Sequence, residues 1–344
     1  MRRAVRAPAA LALTLTAGLA LSLALAGCDV AARREIAAES RAAQAGPPPP
    51  ATVAASCQVK GHPPRIGIIP INLQALFFNQ IDTGAQRVAR QVGAQTQVVN
   101  GSDDSTTQAN AIDNLVANQY DAIIVDAVDT EGIKPAIRRA AAAGVKVVAV
   151  DATVDDPAVS AQVGVTNAAG GQQLARELLG ISGGKGEIGV VSALNSTIQL
   201  ERQKGFTDEV TGHGMAIRTV VDGRNIQENA QSVAENLLTG NPDLPYAYAT
   251  GEPALIGLAA AVTSQQRTKS IKVVGWDLSE QAVDGLRAGW IVGVVQQNTF
   301  QFGYDAMNAA VNLACGRPVP RDNPVPIQIV TPANVAHYLY YLEK

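Results

Sequence analysis

The chain has 344 residues, 47% hydrophobic and 17% charged, with 31 Gly and 18 Pro. That is ordinary globular usage and length for about two domains. Its formal net charge is −3 and no basic patch stands out, which argues against nucleic acid as a partner.

The first stretch reads as a targeting segment. Arg2, Arg3 and Arg6 form a charged n-region, and Leu11 to Ala26 is an apolar run rich in Leu and Ala. Together they predict a secretory signal peptide over residues 1–27. The run is shorter than the ~20 residues of a spanning helix, and no second span of that length follows. The Arg2-Arg3 pair suggests twin-arginine export, but the residues after it do not continue that pattern. The run ends in Leu25-Ala26-Gly27-Cys28, which resembles the lipobox of bacterial lipoproteins. Cys28 would then carry a diacylglycerol and begin the mature chain, anchoring it to a membrane by roughly 0.8 kcal/mol per buried methylene. Loss of the three arginines takes the net charge from −3 to −6.

Residues 28–64 read as a flexible tether, with Pro47 to Pro50 as a semi-rigid spacer. Two cysteines remain, Cys57 and Cys315. Export permits a disulfide between them, and two unpaired thiols are the alternative. No Cys-x-x-Cys or His/Cys cluster exists, so no metal site is expected.

From Arg65 onward, apolar runs alternate with helical spacing. Strands are predicted at 65–71, 97–100, 122–126 and 145–151, with helices at 78–92, 105–119 and 130–143 between them. Ser105 is the expected N-cap of the second helix, and Gly144 follows the third as its C′ residue. The pattern repeats with strands at 187–193, 216–221, 246–250, 271–277 and 292–297. The intervening helices are at 168–181, 200–211, 227–238, 253–266 and 300–315. Continuous apolar strands between amphipathic helices imply an α/β fold of two doubly wound, parallel-sheet halves. In such sheets ligands sit outside the carboxyl ends of the strands. Asp126, Asp151 and Asp277 each end a strand, and a shared cleft explains three of them better than turn formation does.

Catalytic motifs are absent. Gly183-Gly184-Lys185-Gly186 lacks the Ser or Thr of a phosphate loop and precedes a strand. No G-x-G-x-x-G follows the first strand, no G-x-S-x-G elbow is present, and His62, His213 and His337 are scattered. The expectation is a protein that is not an enzyme and carries no cofactor.

From about Arg65 to Val335 the chain resembles the ribose-binding group of type I periplasmic binding proteins. The resemblance rests on Leu76-Phe77-Phe78 with Gly84-Ala85-Gln86, on 122–126 with Asp129, and on 147–151. It continues through the 201–206 stretch, Val273-Val274-Gly275-Trp276-Asp277, and Gln297 with Gly303. LacI-type repressors share the fold but begin with a DNA-binding motif, whose place here is taken by the signal peptide and tether. The resemblance implies two lobes joined by three crossovers: 65–165 with 298–324, and 166–297 with 325–344. A sugar would bind between them by hinge closure.

Roles follow residue by residue. The resemblance implies that Phe77 and Phe78 pack on the sugar ring, that Asp151 and Asp277 accept from hydroxyls, one from each lobe, and that Arg202 forks onto adjacent oxygens. Gln297 would offer a donor and an acceptor. Asp126 stands where the family often has Asn. Other positions depart from the family. Ala75 replaces an Asn, with Gln74 beside it as the polar contact. Ala152 replaces an Arg, and Gly251-Glu252 replaces a polar residue. An aromatic expected near Asn225 is missing, and Trp276 either supplies the stacking face in its place or is only core. An acceptor-rich pocket suits a pentose, a hexose, an inositol or another polyol. The expected partners are such a ligand, the permease subunits of an ABC importer, and a membrane reached through the lipid, with the protein monomeric. A sensor presenting the same kind of ligand to a membrane receptor is the alternative.

Overall fold

The computed structural model describes residues 47–73, 76–102 and 104–342. The expected signal peptide, the lipid-bearing Cys28, the tether up to Gly46 and the expected contact Gln74 lie outside the described residues.

Two six-stranded sheets carry the fold. The first runs β11-β5-β4-β3-β1-β2. Its strands are β1 (Arg65–Ile69), β2 (Gln95–Val98), β3 (Ala122–Val125), β4 (Lys146–Val150), β5 (Ala161–Gly164) and β11 (Asp322–Pro324), all parallel. The second runs β12-β10-β9-β8-β6-β7. It comprises β6 (Glu187–Ser192), β7 (Ala216–Asp222), β8 (Tyr246–Ala249), β9 (Lys272–Trp276), β10 (Ile291–Gln296) and β12 (Gln328–Val330). Only β12 is antiparallel, paired to β10. The chain passes between the sheets after β5, after β10 and after β11.

Helices cover the sheets: α1 (Leu76–Val92), α2 (Ser105–Ala117), α3 (Lys134–Ala142), α4 (Asn167–Ser182), α5 (Thr197–Gly212), α6 (Gln227–Gly240), α7 (Glu252–Ser264), α8 (Glu280–Arg287) and α9 (Thr299–Ala314). Helix α9 follows the second crossing and packs on α1, β3 and β4 of the first lobe. Each lobe has its own apolar core. Ile112, Leu115, Ile123, Ile137 and Val147 fill the first, and Leu174, Phe206, Tyr248, Trp276 and Val295 fill the second. The α2 cap differs from expectation. Asp104, not Ser105, is the N-cap, because its carboxylate reaches the Thr107 amide at 2.6 Å.

Close backbone approach fixes one helix pair in each lobe. A Cβ on Gly303 of α9 would lie 2.0 Å from the Ile81 carbonyl oxygen of α1, and one on Gly205 of α5 would lie 2.0 Å from that of Ala168 in α4. Only glycine lets these backbones touch. The second pair holds the helix that carries Arg202.

Residues 47–57 correct the expectation of a free tether. They are held against α1 and α9. Tyr304 Oη donates to the Pro48 carbonyl (2.8 Å), Asn308 bonds Thr52 and Ala54, and Arg317 Nη1 donates to the Ala55 carbonyl (2.7 Å). An extended, proline-rich backbone leaves its carbonyls free to accept. Cys57 and Cys315 form a disulfide across 258 residues of sequence. By itself, the 3-10 segment Val335–Leu342 brings the Tyr340 and Tyr341 rings to 4.4 Å.

Closing so long a loop restricts the unfolded chain, so Cys315→Ser should lower the unfolding free energy by roughly 2–5 kcal/mol. Urea titration under oxidising conditions measures this, and an unchanged midpoint would contradict it.

Candidate functional site

The carboxyl ends of the two sheets meet in a cleft. Asp151 follows β4 and Asp277 follows β9, and both adopt left-handed backbone, with φ of 60° and 63°. Asp is one of the few non-glycine residues that tolerates this region. The neighbouring strand holds each in place: the Asp151 amide donates to the Val163 carbonyl (2.8 Å) and the Asp277 amide to that of Val295 (2.7 Å). The two lobes thus present the same device to each other.

Asp277 is buried and held from two sides. Gln297 Nε2 donates to both its oxygens (3.1 and 2.9 Å), and Arg202 Nη1 lies 4.0 Å from one of them. Arg202 is itself buried. Its Nε donates to Asn167 Oδ1 (2.9 Å), Nη1 to the Thr250 carbonyl (3.4 Å), and its guanidinium lies 4.0 Å over the Trp276 ring.

Of the two readings of Trp276, core is the one that forms. It is fully buried, its Nε1 donates to Tyr248 Oη (3.0 Å), and Arg202 covers its ring. It supports Arg202 and has no face left for a ligand. Gln297 is also changed in role. Its amide donor is committed to Asp277, which leaves Oε1 buried and unpaired.

On the first lobe, Asp126 follows β3 and is 2% exposed. Gln108 holds this turn, donating to the Asp126 carbonyl (2.6 Å) and accepting from the Val128 amide (3.0 Å). Neither Asp126 carboxylate oxygen has a hydrogen-bond partner. Phe78 lines a small apolar pocket with Asp126. Phe77 meets Phe78 edge-on at 5.3 Å and packs toward Phe302 at 6.4 Å, so it backs Phe78. Asp151 and Asn167 border a cavity of about 350 Å3 beside the crossovers, a size that accommodates a small ligand.

The structure thus brings together Phe78, Asp126, Asp151, Arg202, Asp277 and Gln297. Sequence reasoning missed the residues that hold them: Gln108, Asn167 and Thr250. It noted Glu252 at the start of α7 only as a departure. Single polar residues inside helices carry no pattern that marks them as supports.

The electrostatics follow from burial. Burial raises Asp126 well above the ordinary carboxylate range, and the neighbouring Asp151 charge adds to it. Burial pushes Asp151 up to about 6, with Arg202 opposing and Asp277 adding. Burial raises Asp277 against the pull of Arg202 and of the Gln297 hydrogen bonds. Glu252 is pushed up to about 7 by burial and then by Asp277.

Comparison with known proteins agrees with this geometry. A family model described as "Periplasmic binding protein domain" matches residues 66–318. The chain belongs to this family. This periplasmic binding protein is 26% identical over 269 residues to the ribose import binding protein RbsB of Bacillus subtilis (strain 168), spanning 77% of this chain and 87% of that one. It is 27% identical over 265 residues to the D-apiose import binding protein of Actinobacillus succinogenes, spanning 76% and 84%. Among solved structures, an ABC transporter solute binding protein from Bacillus halodurans C-125 with bound myo-inositol aligns with a TM-score of 0.74 at 22% identity. That alignment covers 81% of this chain and 98% of that one. The resemblance seen in the sequence holds, as does the two-lobed α/β fold, and the protein is a binding protein rather than an enzyme.

Opening the cleft would hydrate Asp126, Asp151, Asp277 and Glu252 and return them toward ordinary values, so the closed form binds protons more tightly. Closure of the ligand-free protein is then favoured fully below the ordinary values of 3.8 for Asp and 4.5 for Glu, and that advantage is lost as pH rises through about 6 and about 7. Small-angle X-ray scattering of the ligand-free protein should show a larger radius of gyration at mildly alkaline than at mildly acidic pH. A radius independent of pH would contradict this linkage.

Proposed function

We propose that this protein captures a monosaccharide or polyol outside the cytoplasm and delivers it to the permease subunits of an ABC importer. The ligand class is a pentose, hexose, inositol or sugar alcohol. The observation that carries the reading is the buried Arg202–Asp277 pair, which faces Asp151 across the cleft. A fork of donors from one lobe and charged acceptors from both match the alternating hydroxyls of such a ligand. Asp126, Asp151 and Asp277 accept from hydroxyls, Arg202 donates to adjacent oxygens, Gln297 Oε1 accepts, and Phe78, backed by Phe77, packs on the C–H face. The similar ribose and D-apiose import binding proteins support the sugar class.

The ligand closes the two lobes, taken as 65–165 with 298–324 and 166–297 with 325 onward, and the closed form is what the permease reads. The signal peptide exports the chain, and the lipid on Cys28 holds it at the membrane as a monomer. The Pro-rich segment and the disulfide then set the first lobe at a short distance from the anchor.

A thermal-melt screen against pentoses, hexoses, inositols and sugar alcohols tests the ligand class. A ligand at a hundred times its dissociation constant adds about 2.7 kcal/mol and raises the melting temperature by several degrees. No shift from any of them would overturn the class. For a compound that does shift it, Asp277→Ala should cost roughly 2–4 kcal/mol of binding, up to about a thousandfold. Calorimetric titration reads this, and unchanged affinity would remove Asp277 from the site.

A further inference from the structure

Besides the Ser192 hydroxyl at the end of β6, the unpaired polar groups at these sheet ends are pure acceptors. Both Asp126 carboxylate oxygens are bare, and Gln297 Oε1 is bare because its amide donor serves Asp277. The Ala152 amide, whose hydrogen bond goes to the Val150 carbonyl (2.8 Å), favours ionised Asp126 less than burial and the Asp151 charge each oppose it. Among the described residues, no buried side-chain nitrogen is left without a partner. With three bare acceptor oxygens on Asp126 and Gln297, the site calls for a ligand that brings donors to them.

Charge points the same way. The pocket shared by Phe78 and Asp126 also takes in Asp82, and the larger cavity takes in Asp151, Glu201 and Asp322. No Lys, Arg or His lines either. Arg202 is already engaged with Asn167, the Thr250 carbonyl, Asp277 and the Trp276 ring. One guanidinium cannot neutralise Asp126, Asp151 and Asp277 together. Among the described residues no group of three or more His, Cys, Asp or Glu is arranged to hold a metal ion. The missing positive charge is therefore assigned to an organic ligand.

We propose that the ligand is an amino sugar or aminocyclitol whose protonated amine sits against Asp126 and Asp151, beside Phe78. This rests on the sugar-or-polyol reading and narrows it. An ammonium carries three donors and no acceptor, which matches the bare oxygens, and the aromatic face beside it adds a cation–π attraction. A hydroxyl in the same place supplies one donor and no charge that would favour the ionised form of Asp126.

The test uses matched pairs that differ by amine for hydroxyl: D-glucosamine with D-glucose, D-galactosamine with D-galactose, and scyllo-inosamine with scyllo-inositol. Each is titrated calorimetrically into the exported protein at neutral pH. In at least one pair the amine should bind tighter by roughly tenfold to a hundredfold. Asp126→Asn, close in shape, should abolish that preference by weakening the amine far more than its neutral partner. Melting of the ligand-free variant checks that it folds, and Asp151→Asn gives the same reading if it does not. Neutral partners binding as tightly as amines would overturn the inference and leave the sugar reading standing. An amine preference that survives both variants would overturn the placement. Binding of none of the six compounds would overturn the inference, and only the absence of any shift in the wider melt screen would overturn the sugar reading with it.

Discussion

Carboxylates buried between two sheet ends, with fewer cations beside them than their charge requires, are the constraint on which this molecule turns. Such groups are costly to keep out of water unless something pairs with them. Asp151 and Asp277 are kept there by left-handed turns pinned to the adjacent strands, and Asp277 is further held by Gln297. Asp126 is kept there by a turn that Gln108 locks from inside. In the proposed function a bound molecule supplies the missing donors, which would couple closure to the ligand.

Close backbone contacts tie the helices of each lobe together. Gly303 in one lobe and Gly205 in the other let helix backbones touch, and the second contact fixes the base of the helix that carries Arg202. Trp276 and Tyr248 form a buried platform under the guanidinium. The segment 47–57 and the Cys57–Cys315 disulfide extend the first lobe toward the N-terminal end of the chain. A site built on rigid supports and closed by three crossovers can hold its groups in register and still open.

Much of this was legible in the sequence because the central strands are continuous apolar runs that end in Asp. Strands β3, β4 and β9 could be read with their terminal carboxylates, and Arg202 stood out through the resemblance of its segment. The parts that were not legible have physical reasons. Strands β5, β11 and β12 are three or four residues long and sit near sheet edges, so they carry too little periodicity to register. Helix α8 is eight residues long and follows a functional turn. Trp276 read either as a stacking face or as core, and only its packing under Arg202 decides between them. The docking of 47–57 depends on acceptor carbonyls meeting side chains some 250 residues away, which no local pattern records.

The most direct test of the account is a crystal structure of the protein with whichever compound raises its melting temperature. The account predicts a closed cleft in which ligand donors lie within hydrogen-bond distance of Asp126, Asp151 and Asp277 and a ligand oxygen meets Arg202. A ligand bound elsewhere, with the Asp126 carboxylate still bare in a closed cleft, would contradict it.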